Sequence, residues 1–543
     1  MWRSGLGLAL VLLAATVSAC SPRREPIATV GGSTPFAFPY VDPTVPNAPN
    51  VFGGGAGDPA GAPSIVYPLT GAMHATNIGD ITFQWNRGDA NNQVFRIRLA
   101  DGQAVNDFYV PCAIARCLYT LPTQGWLAVA YGHPGQQLQA TITGTDGAGG
   151  PVFSSPPVAI LFTPEPVTGG LYYWTVTATG GTTYRLPFGA SRASPFIVPS
   201  SPTNPLTCSG CHSVSRNGTS IAFAATSDPT SAVSFLTVAS TTAPGAPSIG
   251  PNTTGGTLSG TSAHFTALNT DGSRALATTS GHLQVYDTTT GAAIDVGNTD
   301  GLLPPGKLYT HPEWSPSGRR VALTLYSSNS NATDIRPLDG EIVTLELDPV
   351  SGRATALRHI VAMSAADGLF PYYPSWSPDE HWLVFSAAPV GAYNAQTARL
   401  RLASADVDGQ TCPSATCFDL MRASQGTSVA SSWPKLSPFT QSNGQLLFVT
   451  FSSKIDYGFA LVNSGTNGAN RAQLWMAAID LRTATTGGDP SLPPVWLPFQ
   501  DITETNHLPF WTSIVACAQD GISFASCGAG QICDKGACTV VSP

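Results

Sequence analysis

The chain has 543 residues, of which 11% are charged, and its formal net charge is −8 at pH 7. That charge argues against nucleic-acid binding, which calls for a basic patch. Gly (55) and Pro (46) are abundant. Because these residues interrupt short strands, the composition is typical of an all-β protein with many turns. The length is sufficient for about two or three domains.

The N-terminus has the organisation of an export signal. A short positive start precedes the apolar run Leu6–Val17, which is too short to span a bilayer comfortably. The string Val17-Ser18-Ala19-Cys20 resembles the lipobox of bacterial lipoproteins, and Ser21 resembles outer-membrane sorting. The resemblance implies a signal peptide over residues 1–19, acylation of Cys20 and a bacterial outer-membrane lipoprotein, either periplasmic or surface-exposed. The alternative is an ordinary secretory signal with a chance cysteine.

Two regions follow the signal. Residues 20–62 are rich in Pro, Gly and Ala without a periodic apolar pattern, which predicts a flexible tether. Residues 63–165 alternate strand-like runs with turns, and this regular spacing predicts a β-sandwich. Its short strands and early Trp85 resemble an immunoglobulin or fibronectin type III module, which implies a spacer or binding domain. The predicted strands are Ile81–Trp85, Val94–Leu99, Trp126–Tyr131, Gln137–Thr143 and Val158–Phe162.

Residues 166–516 contain an internal repeat. Its clearest copies are His311-Pro-Glu-Trp-Ser-Pro-Ser-Gly and Pro374-Ser-Trp-Ser-Pro-Asp-Glu, each followed by an apolar strand. These turns resemble those of the TolB-type, WD40-like β-propeller, and the spacing of the copies fits four-stranded blades. The resemblance implies a six-bladed propeller in which Leu171–Val176 lends a strand to the last blade and closes the ring. Other copies begin at His212, His264, Trp433 and Asn506.

The string Cys208-Ser-Gly-Cys211-His212 resembles the attachment site of c-type cytochromes. The resemblance implies haem c held by thioethers to Cys208 and Cys211, with His212 ligating the iron. A disulfide between the two cysteines is an alternative, although such a pair closes a tight ring. Another metal is a further alternative, but zinc would need additional ligands, which the surrounding sequence does not offer.

A haem iron often takes a second axial ligand, His or Met. His264 and His311 occupy the repeat position of His212, and His507 lies in the corresponding stretch of the last copy. Equivalent positions in a propeller form a ring around its axis, so these side chains are predicted to converge at one end of the channel. His264, His311 and His507 are therefore alternative distal ligands. The other interpretation is that each histidine packs inside its own blade.

The remaining cysteines predict disulfides in an oxidising compartment. Cys112 and Cys117 bracket one short loop, and Cys412 and Cys417 bracket another. Residues 517–543 are predicted to form a small Cys-rich knob with two bridges, whose connectivity the sequence does not determine. The cysteines of this knob are Cys517, Cys527, Cys533 and Cys538.

Two functional hypotheses follow. In the first, the propeller is an extracytoplasmic haem c protein that transfers electrons. In the second, it is a non-enzymatic lipoprotein that binds a protein or glycan on a propeller face, and Cys208–Cys211 is a disulfide. The absence of G-x-S-x-G, H-E-x-x-H and Walker motifs favours a non-enzymatic protein. Both hypotheses place the chain at a membrane through its lipid anchor.

We expect a Cys20→Ala variant to lose membrane association after export, because it lacks the thiol that would carry the lipid. Fractionation of the exported protein measures this. A Cys208→Ala variant, changed far from the lipobox, serves as the control and should remain in the membrane fraction. Retention of the Cys20→Ala variant in that fraction would contradict the prediction.

Overall fold

The structure is a computed structural model of the chain. The signal peptide predicted over residues 1–19, Cys20 and the first part of the predicted tether fall outside the residues that it describes. Within the described part of the chain, no helix is both long and apolar enough to cross a membrane. The structure describes residues 36–177, 180–190, 192–198, 208–226, 235–241, 257–262, 264–294, 299–329, 335–348, 351–362, 367–391, 397–426, 430–464 and 468–513, and four short strands between 517 and 540.

Residues 36–167 form an N-terminal domain of two sheets. Its strands are β1 (Tyr40–Val41), β2 (Ser64–Tyr67), β3 (Ala72–His74), β4 (Thr82–Asn86), β5 (Val94–Ala100), β6 (Val105–Pro111), β7 (Arg116–Thr120), β8 (Gln137–Thr145), β9 (Phe153–Ser154) and β10 (Val158–Phe162). One sheet has the order β1-β6-β5-β8-β10-β3, with β9 beside β8, and the other has the order β2-β4-β7. Buried side chains of both sheets share one core, in which the rings of Trp85 and Phe95 lie 5.3 Å apart. The immunoglobulin-like or fibronectin-like arrangement itself stays a prediction.

The prediction of a strand over Trp126–Tyr131 is wrong. This segment belongs to helix α1 (Thr123–Gly132), which buries Trp126, Leu127, Val129 and Ala130. Buried positions separated by three and four residues are helical spacing, which a short, continuously apolar run does not reveal. The indole Nε1 of Trp126 donates to the carbonyl of Ile78 at 3.1 Å. The other four predicted strands correspond to β4, β5, β8 and β10.

The predicted tether is wrong for residues 36–62, which form part of the N-terminal domain. Strand β1 pairs in parallel with β6, with Tyr40 opposite Phe108. The rings of Phe36 and Phe38 also lie 6.5 and 5.4 Å from that of Phe108. Further along, the amide of Gly57 donates to the carbonyl of Val152. Aromatic residues at every second position give this Pro-rich segment an apolar face, because alternate residues of an extended chain share one side.

Residues 170–512 form a propeller of six four-stranded sheets, or blades. Blade 6 combines residues 170–197 with residues 505–512, and blades 1 to 5 follow in chain order over residues 208–262, 265–294, 307–361, 370–419 and 431–496. Among the described residues of the propeller, short helices lie between strands at α2 (Thr299–Leu302), α3 (Met421–Ser424) and α4 (Leu481–Ala484). The strands are β11 (Gly170–Thr177), β12 (Gly180–Pro187), β13 (Ser194–Ile197), β14 (Cys208–Val214), β15 (Ser220–Thr226), β16 (Phe235–Ser240), β17 (Thr257–Ser262), β18 (Phe265–Leu268), β19 (Arg274–Thr279), β20 (His282–Asp287), β21 (Ala293–Ile294), β22 (Lys307–Trp314), β23 (Arg320–Ser327), β24 (Glu341–Leu347), β25 (Ala354–Val361), β26 (Phe370–Trp376), β27 (Trp382–Ala388), β28 (Arg399–Ser404), β29 (Cys417–Asp419), β30 (Ser431–Leu436), β31 (Leu446–Ser453), β32 (Gln473–Asp480), β33 (Val495–Trp496) and β34 (Thr505–Thr512).

The ring closes as the repeats predicted. Strand β34 is the inner strand of blade 6 and pairs antiparallel with β11, with Leu171 opposite Trp511. Each inner strand contacts the inner strand of the next blade, and β34 contacts β14. The six-bladed propeller is therefore confirmed, and its last blade combines both ends of the propeller sequence.

Two predicted disulfides are confirmed. Cys112 bonds to Cys117 and Cys412 bonds to Cys417, with Cα atoms 5.9 and 5.2 Å apart. The predicted knob contains two hairpins, of which the second places Cys533 opposite Cys538. The bonding of the knob cysteines concerns side chains that the structure does not describe. The hairpin strands are β35 (Cys517–Gln519), β36 (Ile522–Phe524), β37 (Gln531–Asp534) and β38 (Ala537–Val540).

The N-terminal domain docks on blade 5. The side-chain Oε1 of Gln84 accepts hydrogen bonds from the amides of Phe459 and Ala460 at 2.6 and 3.1 Å. The hydroxyl of Tyr67 accepts one from the amide of Trp496 at 3.0 Å. Side chains of both domains belong to one hydrophobic core, so the two domains form a continuous packed unit.

Truncation after Val515 should leave the melting temperature of the main fold nearly unchanged, because it removes only the Cys-rich knob. Truncation after Glu504 should abolish cooperative unfolding, because it also removes β34, whose residues from Asn506 to Thr512 are buried. Thermal melts followed by circular dichroism compare the two chains. Collapse of the fold in the longer chain would show that the knob is a structural clasp.

Candidate functional site

The six inner strands surround the propeller axis. They are β14, β18, β22, β26, β30 and β34. In five of them, two residues stand opposite one residue of the neighbouring strand, which is a β-bulge. Only β18 among these strands pairs without a shift. The bulged residues are Cys211–His212, His311–Pro312, Tyr373–Pro374, Trp433–Pro434 and Leu508–Pro509.

The bulges turn large side chains toward the axis. The first bulged residue has a positive φ of 50° at His311, 57° at Tyr373, 57° at Trp433 and 55° at Leu508. Bulky residues rarely adopt this left-handed conformation, which costs about 1–3 kcal/mol each. All four side chains line one cavity on the axis. The repeated backbone strain therefore serves to aim them at a common point.

The axial cavity, lined by these residues together with His212 and Phe265, is small and largely aromatic. Its volume is about 30 Å³, which is room for about two water molecules. The ring of Tyr373 stacks on Trp433 at 4.4 Å and lies 3.9 Å from the ring of His311. The ring of Phe265 lies 4.6 Å from His311 on another side. Packed rings thus fill most of this end of the channel.

His212 is fully buried beside this cavity. Its Nε2 lies 3.2 Å from the carbonyl oxygen of Tyr172. Because a carbonyl only accepts, Nε2 carries the proton, and Nδ1 is left as an acceptor without a partner among the described residues. Burial lowers the pKa of His212 to about 4, and the nearby Lys435 contributes to this. The imidazole is therefore neutral at neutral pH.

His311 is also buried and neutral. Its Nδ1 lies 3.2 Å from the hydroxyl of Thr324, and its Nε2 has no partner among the described residues. Burial holds the pKa of His311 well below its usual value, and the charge of Lys435 acts in the same direction. The axial cavity thus presents two uncharged imidazoles that each have an unused ring nitrogen.

A buried ion pair lies next to the cavity on the axis. The ammonium of Lys435 is 2.5 Å from the carboxylate of Glu313 and 4.1 Å from the centroid of the Phe510 ring. The other carboxylate oxygen of Glu313 accepts from the hydroxyl of Ser375 at 3.4 Å. A second cavity between these groups measures only about 20 Å³. The channel is therefore occupied by side chains along this stretch as well.

The predicted ring of equivalent histidines is wrong in its register. His212 is the second residue of its bulge and matches Pro312, whereas His311 is the first. His212 and His311 still line the same cavity, but His264 and His507 are not among its lining residues. His264 is half-buried just before β18, and His507 is buried with its ring 6.2 Å from that of Trp174.

The described residues around His212 do not fit a covalent haem. Ligation would need the lone pair of Nε2, which here carries a proton donated to Tyr172. Pockets for ligands of such size measure about 300–1,000 Å³, far more than the cavity of about 30 Å³. The side chains of Cys208 and Cys211 lie outside the described part. Among the residues that the structure describes, no group of three or more His, Cys, Asp or Glu could hold a metal ion.

A larger space lies between the N-terminal domain and the propeller. This interdomain groove has a volume of about 830 Å³, which is in the range of ligand pockets. Its floor is aromatic: Tyr457 stacks on Trp496 at 4.1 Å, and Tyr173 stacks on Tyr184 at 5.5 Å. No motif or repeat in the sequence indicates this groove. Its other lining residues include Asp80, Thr82, Leu118, Thr120, Arg192, Phe499, Asp501, Ile502 and Glu504.

The comparisons with known proteins give solved structures of low sequence identity and low TM-score. No protein-family model matches the chain, and no curated protein matches it. TolB from Acinetobacter baumannii aligns over 69% of this chain and 79% of its own, with 10% identity and a TM-score of 0.37. Prolyl oligopeptidase B from Galerina marginata aligns over 66% and 49%, with 11% identity and a TM-score of 0.32. The C-terminal WD40 domain of Sif2 aligns over 64% and 85%, with 11% identity and a TM-score of 0.27.

The free energy of unfolding should fall as the pH drops from about 6.5 to about 4. In that window the unfolded chain protonates His212, but the folded chain, in which its pKa is about 4, does not. Each such proton changes the slope by about 1.4 kcal/mol per pH unit. A His212→Gln variant keeps an N–H donor for Tyr172 and does not titrate, so urea denaturation should show the slope reduced by that amount.

An exposed histidine provides the control. Its hydrogen bond to Asp406 raises the pKa of His381, so protonated His381 stabilises the fold at low pH and loses this effect as the pH rises. A His381→Gln variant should therefore leave the slope below about pH 6.5 nearly unchanged and alter the stability only above it. An unchanged slope in the His212→Gln variant would contradict the assignment of a buried neutral His212.

Proposed function

We propose that this protein is a non-enzymatic binding protein of the bacterial cell envelope. It is anchored through a lipid on Cys20 and holds its ligand in the interdomain groove. In this proposal Cys208 and Cys211 form a disulfide, as do Cys112 with Cys117 and Cys412 with Cys417. The proposal keeps the lipid anchor, the non-enzymatic role and the Cys208–Cys211 disulfide of the second functional hypothesis, but it places the ligand in the interdomain groove instead of on a propeller face.

The proposal rests on which cavity of the structure is large enough for a ligand. At the bulges the axis of the propeller holds packed rings and a buried ion pair, with cavities of about 30 and 20 Å³. The interdomain groove, at about 830 Å³, has room for a ligand. Ligand sites are commonly found at domain interfaces, where aromatic surfaces combine with a few polar groups. The groove has both features.

Filling the groove should abolish ligand binding. Thr120 is exposed on β7 and lines the groove, so a Thr120→Trp variant places an indole inside it. Titration of the purified mature chain with spermidine, a tetralysine peptide and a neutral oligosaccharide should show saturable binding of at least one of these, which the variant loses. The control is Val105→Trp on the exposed surface of β6.

Binding that persists in the Thr120→Trp variant would place the ligand elsewhere and contradict the proposal. Failure of all three probes to bind the wild-type chain would do the same. Thermal melts of both tryptophan variants verify that each remains folded.

Covalent haem remains the second candidate because of the string Cys208-Ser-Gly-Cys211-His212. Thioethers survive denaturation, so mass spectrometry of the unfolded chain separates the two functions. After expression in a host with cytochrome c maturation, we expect no haem mass and a Cys208–Cys211 disulfide that resists alkylation until it is reduced. An added haem mass that disappears in a Cys211→Ser variant would instead establish the haem protein.

A further inference from the structure

We infer that the interdomain groove binds an organic cation, that is, an ammonium or guanidinium group carried on an apolar stem. The inference rests on the proposed function, because it names the chemical class of the ligand for that same groove. Three features of the lining support it. They are the net negative charge, the two carboxylates that form no ion pair with a described residue, and the arrangement of the aromatic rings.

The lining of the groove is negatively charged. Asp80, Asp501 and Glu504 contribute carboxylates, and Arg192 is the one cationic residue that lines it among those described. Asp80 belongs to the N-terminal domain, whereas Asp501 and Glu504 follow blade 5, so carboxylates stand on both sides. A cleft lined by one sign of charge concentrates ligands of the opposite sign.

The two propeller carboxylates are available to a ligand. Neither Asp501 nor Glu504 forms an ion pair with a described residue. One oxygen of Asp501 accepts from the amide and hydroxyl of Thr503 at 2.8 and 2.7 Å, which holds the carboxylate in place. Burial raises the pKa of the Tyr184 hydroxyl, and Glu504 and Asp501 raise it further. Both carboxylates therefore act on the same part of the groove as the Tyr184 ring.

Aromatic rings supply the complementary surface. Tyr184 is half-buried and stacks on Tyr173 with an angle of 15° between the ring planes, so one pair of faces is packed and the Tyr184 ring stays partly exposed in the lining of the groove. Tyr457 and Trp496 form a second stack on the floor, but these residues are only 3% and 8% exposed, so the partly exposed Tyr184 offers the larger contact. Aromatic faces attract cations electrostatically, and Trp and Tyr do so most strongly. Rings beside unpaired carboxylates suit an ammonium group better than a neutral hydroxyl.

The test uses the full mature chain with spermidine and a tetralysine peptide as probes. Calorimetric titration should show saturable binding that weakens as salt is added, since the attraction is screened. A double variant, Asp501→Asn and Glu504→Gln, keeps the shape of both side chains and should lower the affinity by about tenfold or more. The matched control is Asp408→Asn, an exposed carboxylate that pairs with Arg358 outside the groove.

The two probes distinguish the source of the cation. Tighter binding of tetralysine indicates a basic segment of a protein partner, and tighter binding of spermidine indicates a free polyamine; either result supports the inference. Unchanged affinity of the double variant for both probes would overturn it. A neutral oligosaccharide that binds, is lost in the Thr120→Trp variant and is unaffected by the double variant would overturn the inference while leaving the proposed function intact.

Discussion

Strand β34 closes the ring of six blades by pairing with β11, and the crowding at the axis follows from this closure. Strand β34 supplies the inner strand of a blade whose other three strands lie far earlier, between residues 170 and 197. Pairing such distant segments carries a loop-closure cost that only the completed core offsets. Closure also removes the exposed strand edges that an open array of blades would have. It brings six inner strands to one axis, where their side chains must share a narrow space.

At the propeller axis the crowded side chains pack closely against one another and leave little open channel. Bulges aim His311, Tyr373 and Trp433 at one another, and the charge of Lys435 is neutralised by Glu313 beside them. An isolated charge at such a position would be strongly unfavourable, whereas a paired one is tolerated. The result is a rigid centre with little free volume. Space for a ligand is found instead where the propeller meets a second domain.

A structural feature can be predicted from the sequence when a few neighbouring residues encode it. The turns after His311 and Pro374 use Trp-Ser-Pro chemistry that a few residues encode, so the number of blades was predictable. The register of His212 is a weaker signal, since it differs from that of His311 by one residue: His212 lies three residues before Ser215, whereas His311 lies four before Ser315. Each of these serines begins the same turn, because its amide pairs with the carbonyl five residues later. Counting residues back from this turn aligns His212 with Pro312 and not with His311.

No short stretch of the sequence encodes the interdomain groove. Its walls come from segments near residues 80, 120, 184 and 501, and Asp501 alone looks like an ordinary turn residue that accepts from Thr503. The docking that creates the groove uses Gln84 and backbone amides of the propeller, which no side-chain pattern records. Because stacked and buried rings form the floor, a ligand bound as we propose would meet a site that needs little ordering. A ligand that touches both walls in turn stabilises the docked arrangement, since it binds only when the two domains are together.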